Sequence, residues 1–456
     1  MIKMSLAELN QILNYPPINS NDEFHGISID TRTLLPHNLF VAIKGERFDG
    51  HDFIVEAAKK GASAALVERP PNNISLPQIT VPDTLEALGK LSLHWRKRFL
   101  LPIIGITGSN GKTTLKNMIS SILRTACHNN PAQVLATEGN FNNHIGLPLT
   151  LLRLSKQHRY AVIEMGMNHF GEIAYLTHLA KPQVAIINNA AEAHLEGLQD
   201  VAGVARAKGE IFLGLQENGT AILNSDDAHF TYWHSLIDHH PYLSFGLKNK
   251  ADVTAVIKEN QSIQLHTPQG KIDVTLPLLG THNIMNALAA TAATLALDLD
   301  LMTIKQGLEQ VTPAPGRMQQ YILSSGTYII NDTYNANPFS LQAAVNTLAS
   351  LPGIRIVVLG DMKELGSNEM QLHHSAGENI RAAGIHHLFT FGHLSSATAL
   401  AFGQNAQHFT EYQELVTALR PYLKSGVTIL VKGSRSMQME RIIAEIMPDM
   451  YLEQTH

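Results

Sequence analysis

Ile104-Gly105-Ile106-Thr107-Gly108-Ser109-Asn110-Gly111-Lys112-Thr113-Thr114 runs from an apolar segment, through a glycine turn, into a helix opening. Pro102 to Ile106 reads as a buried strand, and the helix is expected from about Thr113. Glycines in the turn let successive backbone N–H groups face a phosphate chain, and the helix N-terminus adds free N–H groups of its own. Lys112 offers a positive charge to the outer phosphates, and Thr113 a hydroxyl suited to magnesium. The turn is tighter than the long form of the phosphate-binding loop. Gly108 stands three residues before Gly111, and Ile106 falls where the long form has its first glycine. The expected ligand is ATP or another nucleoside triphosphate, held by Thr107, Gly108, Ser109, Asn110, Gly111, Lys112, Thr113 and Thr114.

Length and composition narrow what can surround this loop. A chain of 456 residues exceeds one core, so about three domains are expected. With 44% hydrophobic and 16% charged residues, neither a disordered nor a fibrous class fits. A net charge of -5 without a basic block argues against nucleic acid as the main partner. The single cysteine, Cys127, excludes an internal disulfide and a cysteine-rich metal cluster, and suits a reducing cytosol. Met1 to Asn14 lacks the pattern of a signal peptide, and no run of ~18 apolar residues is present to span a membrane. A cytoplasmic protein is therefore expected. The 23 histidines are too many for all to act, so only position can single one out.

The fold expected is α/β in three domains, over 1–97, 98–313 and 314–456. In the first, Phe40 to Ile43 and Ala64 to Val67 read as strands, and His51 to Lys60 and Thr84 to Phe99 as helices. In the second, strands at Ile103 to Thr107, Tyr160 to Met165, Val184 to Asn188 and Thr220 to Asn224 alternate with helices, the pattern of a mostly parallel sheet. Residues 251–279 alternate polar and apolar side chains and read as an antiparallel meander, followed by a helix from Asn283 to Leu297. Thr312-Pro313-Ala314-Pro315-Gly316 is the clearest linker. Beyond it a Rossmann-like unit is expected, with strands at Tyr328 to Asn331, Ile354 to Leu359, His387 to Phe391 and Val427 to Val431. Polar clusters follow these strands, where parallel sheets bind ligands.

Several side chains stand out, each with a plainer alternative. Glu164 closes an apolar strand and suits magnesium, or is a solvated strand-end carboxylate. His194 lies in a loop after a strand, where histidines are usually structural. Lys208 sits among small residues on the helix expected over Val201 to Leu213, and by itself reads first as a solvated helix lysine. Ser28-Ile29-Asp30-Thr31-Arg32 and Lys44 to His51 read first as turn chemistry with one helix cap, Asp49 or Asp52.

Taken together, the loop Thr107 to Thr113, Glu164, His194 and Lys208 resemble the ATP site of the Mur ligases, which build the cytoplasmic peptidoglycan precursor. The resemblance runs the full length. Gly139 to Pro148, with Asn140, Asn142 and Asn143, is similar to that family's asparagine loop. Gly280 to Ala287, with His282, Asn283 and Asn286, is similar to its adenine-side motif. Arg317 and Asp332 are similar to the arginine and aspartate its third domain brings to ATP. Ser28 to Arg32, Asp49-Gly50-His51, Asn331 to Pro338 and Lys432 to Met437 favour the branch that adds D-Ala-D-Ala to UDP-MurNAc-tripeptide.

The resemblance implies ATP-dependent amide formation through an acyl phosphate, with Lys112, Glu164, His194 and Lys208 as catalytic residues. It implies Mg2+ held by Thr113, Glu164, His194 and Lys208, with carbamylation of Lys208 turning a cation into a carboxylate-like ligand. The UDP end is expected on Ser28, Asp30, Arg32, Lys44, Asp49 and His51. The dipeptide is expected on Tyr334, Asn335, Asn337, Lys432 and Ser434, and the muramyl peptide or γ-phosphate near Asn140 to His144. Arg317 and Asp332 reach ATP only if the third domain closes on a hinge near Pro313 to Gly316. A monomer is expected. The rivals are another Mur ligase, a folylpolyglutamate synthase-like ligase, which begins near its phosphate loop, and a P-loop switch ATPase, which needs no counterpart of Lys208.

Overall fold

The computed structural model describes residues 1–15, 22–45, 48–71, 74–192, 195–258 and 262–447, the side chains of 195, 196 and 367 excepted. Successive lobes are each built on a sheet. The first has four parallel strands, ordered Ile27–Ser28, Leu39–Val41, Ala64–Val67, Gln78–Thr80. An antiparallel pair, Lys3–Ser5 with Glu23–His25, precedes it in the chain.

The middle sheet has six parallel strands, ordered Tyr242–Phe245, Thr220–Asn224, Val184–Ile187, Ile103–Thr107, Tyr160–Glu164, Val134–Ala136. The chain leaves Ile103–Thr107 towards one edge and later continues on its other side. The glycine turn therefore opens where strand order reverses, the place where such sheets leave a crevice at their carboxyl ends. The helix after the turn is Lys112–Ala126, so Lys112 already belongs to its first turn. It buries Leu115, Met118, Ile119, Ile122 and Leu123 at i, i+3, i+4, i+7 and i+8. Each such side chain contributes about 1.5–3 kcal/mol on full burial. This helix packs on the alanine-rich helix Thr281–Leu295 and on Leu301–Glu309. The second approach is so close that a Cβ on Gly307 would lie 2.3 Å from Ile122 Cα. The alternating stretch forms the expected antiparallel meander, Thr254–Ile257, Ser262–Thr267 and Gly270–Thr275.

The third sheet runs Gln319–Ile322, Tyr328–Asp332, Val427–Lys432, Ile354–Gly360, His387–Phe391, Ala406–Phe409, with only the first strand antiparallel. The late strand Val427–Lys432 inserts beside Tyr328–Asp332, which sets Lys432 next to Asp332 in register. Edge strands such as Val134–Ala136, Tyr242–Phe245, Gln319–Ile322 and Ala406–Phe409 carry no long apolar run and left no clear strand signal. The helix expected over Val201 to Leu213 divides into Val201–Gly209 and a 3₁₀ turn, Glu210–Gly214. Among the described residues, no helix is long and apolar enough to cross a membrane.

Candidate active site

The phosphate loop is held from beneath by the segment that follows Val184–Ile187. Gly111 adopts φ +80°, and a Cβ there would sit 2.6 Å from Asn286 Oδ1 and 2.7 Å from Asn188 Nδ2. Conformation and space both require glycine. Asn110 N donates to Asn189 Oδ1 at 2.9 Å, and its carbonyl accepts from Asn188 Nδ2 at 3.0 Å and Asn189 Nδ2 at 3.1 Å. Ser109 Oγ donates to the Ala191 carbonyl at 3.0 Å and accepts from Ala191 N at 2.9 Å. Thr107 closes the strand before the turn. Its fully buried hydroxyl donates to the Met165 carbonyl at 3.0 Å, so the side chain ties two strands together instead of facing a nucleotide. Thr113 and Thr114 lie half-buried in the first helical turn. Lys112 Nζ donates to the Gly108 carbonyl at 2.5 Å, which folds its charge over the loop. Desolvation brings its pKa down to about 8, with Glu164 opposing and Arg317 adding to the fall.

Beneath Lys112, a carboxylate is left partly unused. Glu164 is 1% exposed. Its Oε2 accepts from Thr113 Oγ1 at 3.4 Å, while Oε1 is buried without a hydrogen-bond partner. Lys116 Nζ stands 3.6 Å from that oxygen and donates instead to the Thr137 carbonyl at 2.7 Å. Thr137 Oγ1 in turn accepts from Glu164 N at 3.0 Å. A buried anionic oxygen beside a hydroxyl is a donor set suited to Mg2+, which takes hard oxygen ligands and a few waters. Thr113 and Glu164 therefore fit this ion. Among the described residues, no cluster of three or more His, Cys, Asp or Glu forms a further metal site. Lys116 and Thr137 escaped the sequence reading, although Lys116 lies one helical turn after Lys112 on the same face.

Lys208 overturns its plainer alternative. The side chain is 1% exposed, not solvated. Among the described residues its hydrogen-bond acceptor is the Met167 thioether at 3.9 Å, a weak one. Burial drives its pKa well below the ordinary lysine value, the Lys112 charge adds to this, and Asp227 opposes it. Asp227 also accepts from Ala190 N at 2.8 Å, which braces the clamp under the phosphate loop. His194 lies outside the described residues.

The third lobe is docked onto this site rather than held away on its hinge. Arg317 acts electrostatically on Lys112 and lies 4.1 Å from the Tyr334 ring centroid. A Cβ on Gly280 would meet Thr347 Oγ1 at 2.4 Å, and Leu279 joins the apolar cluster of the third lobe. His282 is half-buried, and desolvation lowers its pKa while Asp332 opposes. Asn283 and Asn286 are each 3% exposed. Asn188 Nδ2 donates to Asn286 Oδ1 at 2.9 Å, Asn286 Nδ2 to Asn283 Oδ1 at 3.2 Å, and Asn283 Nδ2 to the Leu279 carbonyl at 2.7 Å. In this arrangement these asparagines support the loop from below.

Other third-lobe candidates are also engaged. Lys432 Nζ donates to Asp332 Oδ2 at 2.5 Å and to the Asn335 carbonyl at 2.9 Å, so the expected nucleotide and substrate residues form one ion pair. Ser434 Oγ accepts from Lys363 N at 2.8 Å. Asn337 caps the helix Pro338–Ala349 and donates to Asn110 Oδ1 at 2.9 Å. That partner is the phosphate loop, not a dipeptide. Tyr334 is half-buried and Asn335 exposed. In the asparagine loop, Asn143 Oδ1 accepts from Ile145 N at 3.1 Å and Gly146 N at 2.9 Å, Asn142 packs on Gly166 after Glu164, and Asn140 is exposed.

In the first lobe the polar clusters close on themselves. Ser28 Oγ donates to the Asp30 carbonyl at 2.8 Å, and Asp30 grips Arg32 with both oxygens. Asp49 caps the 3₁₀ turn Gly50–Phe53, as turn chemistry suggested, and accepts from His51 Nδ1 at 2.6 Å and from Arg69. His51 Nε2 accepts from Glu68 N at 2.9 Å, which fixes the Nδ1–H tautomer and leaves neither ring nitrogen for a ligand. Lys44 is exposed.

Similarity to known proteins extends over nearly the whole chain. Residues 23–96 match the Mur ligase catalytic-domain family, 106–294 the Mur ligase middle domain and 316–435 the Mur ligase glutamate ligase domain. The UDP-N-acetylmuramoyl-tripeptide–D-alanyl-D-alanine ligase of Escherichia coli K12 is 44% identical over 97% of this chain and 98% of its own. MurF from Acinetobacter baumannii superposes with TM-score 0.91 at 36% identity, covering 98% of this chain and all of the other. MurF from Thermotoga maritima, solved with ADP, gives TM-score 0.84 at 27% identity over 94% of this chain and 98% of the other. With every lobe matched and near-complete coverage at such identity, the chain belongs to the Mur ligase family.

Proposed function

We propose that this chain is an ATP-dependent ligase joining D-Ala-D-Ala to UDP-MurNAc-tripeptide in peptidoglycan precursor synthesis. One observation carries the reading. Lys112, Thr113, Glu164 and Lys208 converge at the carboxyl end of the middle sheet, with the Arg317 charge brought in from the third lobe, in a chain 44% identical to a ligase of that name.

The chemistry follows from charge. A substrate carboxylate attacks the γ-phosphorus, ADP leaves, and an acyl phosphate forms. The dipeptide amine then attacks the acyl carbon, phosphate leaves with the C–O bond electrons, and the amine gives up its extra proton to solvent. The first step brings two anions together. Lys112, backed by Arg317, offsets that repulsion and the charge on the transferring phosphoryl group. Mg2+ on Thr113 and Glu164 would neutralise the β- and γ-phosphate oxygens. Burial lowers the Lys208 pKa and so favours the amine form that is a nucleophile for CO2; the carbamate would form by N–C bonding with loss of one proton, and the site would then hold an anion where an ammonium would repel Lys112. The family resemblance assigns His194, outside the described residues, to the same metal. Docking of the third lobe excludes water that would hydrolyse the acyl phosphate.

The lobes divide the substrates, over 1–97, 98–313 and 314–456. Exposed Lys44 and Arg32 in the first lobe suit a pyrophosphate. Tyr334, Asn335 and Ser434 border the dipeptide, and Asn140 and Asn142 the muramyl peptide. All these residues come from one chain, so a monomer suffices, and the nucleotide-linked substrate places the reaction in the cytoplasm. The test is ADP and phosphate release with UDP-MurNAc-tripeptide, the dipeptide present or withheld, with the pentapeptide identified by mass. Release independent of both co-substrates would instead indicate a switch ATPase.

A further inference from the structure

We infer that Asn337 is a positioning residue that registers docking of the third lobe on the phosphate loop through its hydrogen bond to Asn110. This rests on the ligase reading above. Each end of the Asn337 carboxamide has a separate task. Oδ1 accepts from Ser340 N at 2.8 Å and caps Pro338–Ala349, while Nδ2 donates to Asn110 Oδ1 at 2.9 Å. This bond ties the third lobe directly to the phosphate loop of the middle one. Two packing contacts between these lobes, Thr347 against Gly280 and Leu279 in the apolar cluster, carry no such direction.

Asn110 is suited to report on the nucleotide. Its backbone is clamped by Asn188 and Asn189, so its side chain turns on a fixed base. Its Nδ2 is buried without a hydrogen-bond partner. A carboxamide presents an acceptor on one side and donors on the other, and a flip exchanges them. A phosphate or ribose oxygen that accepts from Nδ2 therefore also holds Oδ1 towards Asn337. In the flipped form two NH2 groups would face each other, and the third lobe would meet a repulsive contact. The nucleotide thus selects the amide orientation that lets the third lobe dock, which delays assembly of the dipeptide side until ATP is bound.

Asn337→Asp separates the two tasks. Aspartate is as good an N-cap as asparagine, but it sets a carboxylate oxygen against Asn110 Oδ1. The measurement is small-angle X-ray scattering of the full chain titrated with a non-hydrolysable ATP analogue, which needs no turnover. The wild-type chain should contract as analogue binds. Asn337→Asp should keep its melting temperature and need about tenfold more analogue to contract, and its kcat for ligation should fall by a similar factor. In an Asn110→Ala background, adding Asn337→Asp should change little further, because the bond is already gone. Additive effects, contraction of Asn337→Asp at the wild-type midpoint, or a wild-type chain equally compact with and without analogue would each overturn the proposal. Should the aspartate variant fail to fold, Asn110→Ala alone tests the same bond from the other end. Contraction without ligation activity in the wild type would count against the ligase reading and leave this one standing.

Discussion

Asp49 in the first lobe and Glu164 in the middle one are both carboxylates that shape a loop, yet they live differently. Asp49 accepts from the His51 backbone, the His51 ring and Arg69, and those bonds draw its pKa down to about 2. Glu164 is far more buried, and one of its oxygens has no hydrogen-bond partner. The same contrast separates Arg32, gripped by Asp30, from Lys208, sealed in beside a thioether. Polar groups that satisfy one another hold a fold together. Polar groups buried short of partners cost stability and persist where a ligand completes them. The phosphate loop belongs to the second kind and the first-lobe clusters to the first.

The contrast breaks first, if it breaks, at Lys112. Lys112→Ala should lower ligation by about a thousandfold or more, because the charge it supplies acts in the transition state; ordinary turnover would reject the site. Next comes Lys208→Met, which should cost about a hundredfold or more in kcat while raising the melting temperature, since an apolar isostere replaces a buried amine with no strong acceptor. Added short carboxylates should restore activity to Lys208→Ala if a carbamate is the working form, and failure of rescue would leave Lys208 as a phosphate contact. Lys116→Met should lower the Mg2+ concentration for half-maximal activity about tenfold, as the ammonium 3.6 Å from Glu164 Oε1, which competes with the metal for that oxygen, is lost.

A pH titration sharpens the contrast more gently. In the free enzyme Lys112 loses its proton above about 8, whereas the unfolded chain holds it to the ordinary value of 10.5. Between those values ATP binding should weaken by up to about tenfold per pH unit and be accompanied by proton uptake, seen as a buffer-dependent calorimetric heat. In that window the unfolded state binds more protons, so this group's part in stability rises with pH. The smallest effect on catalysis belongs to the first lobe. His51→Gln should lower stability by about 1–2 kcal/mol through lost hydrogen bonds and leave kcat within about twofold. A kcat loss there comparable to Lys208→Met would erase the distinction.

Much of this arrangement was legible in the chain. Ile103–Thr107, Ala64–Val67, Thr220–Asn224 and His387–Phe391 stand where apolar runs put them, because a central parallel strand is buried on both faces and says so in its own residues. Gly111 and Lys112 were equally plain, since a left-handed turn before a helix demands glycine at that step. Edge strands were not legible, because half of each faces solvent. Neither was the support of the site. Asn188 and Asn189 reach the phosphate loop across ~80 residues of chain, and Asp227 braces their segment through Ala190; nothing local marks them.

By itself, then, the amino-acid order determined the α/β lobes, the glycine turn at the end of Ile103–Thr107 and the charged and polar side chains gathered along the chain around it. Tertiary structure alone decided which of those residues are free to act. Spacing sets side-chain type and direction, but partner saturation depends on neighbours distant in the chain. Lys432 found Asp332, His51 found Glu68, and Asn337 found Asn110, while Glu164 and Lys208 were buried short of strong partners. Availability is a property of the packed whole, because desolvation and hydrogen bonding act only once the lobes have closed around each group.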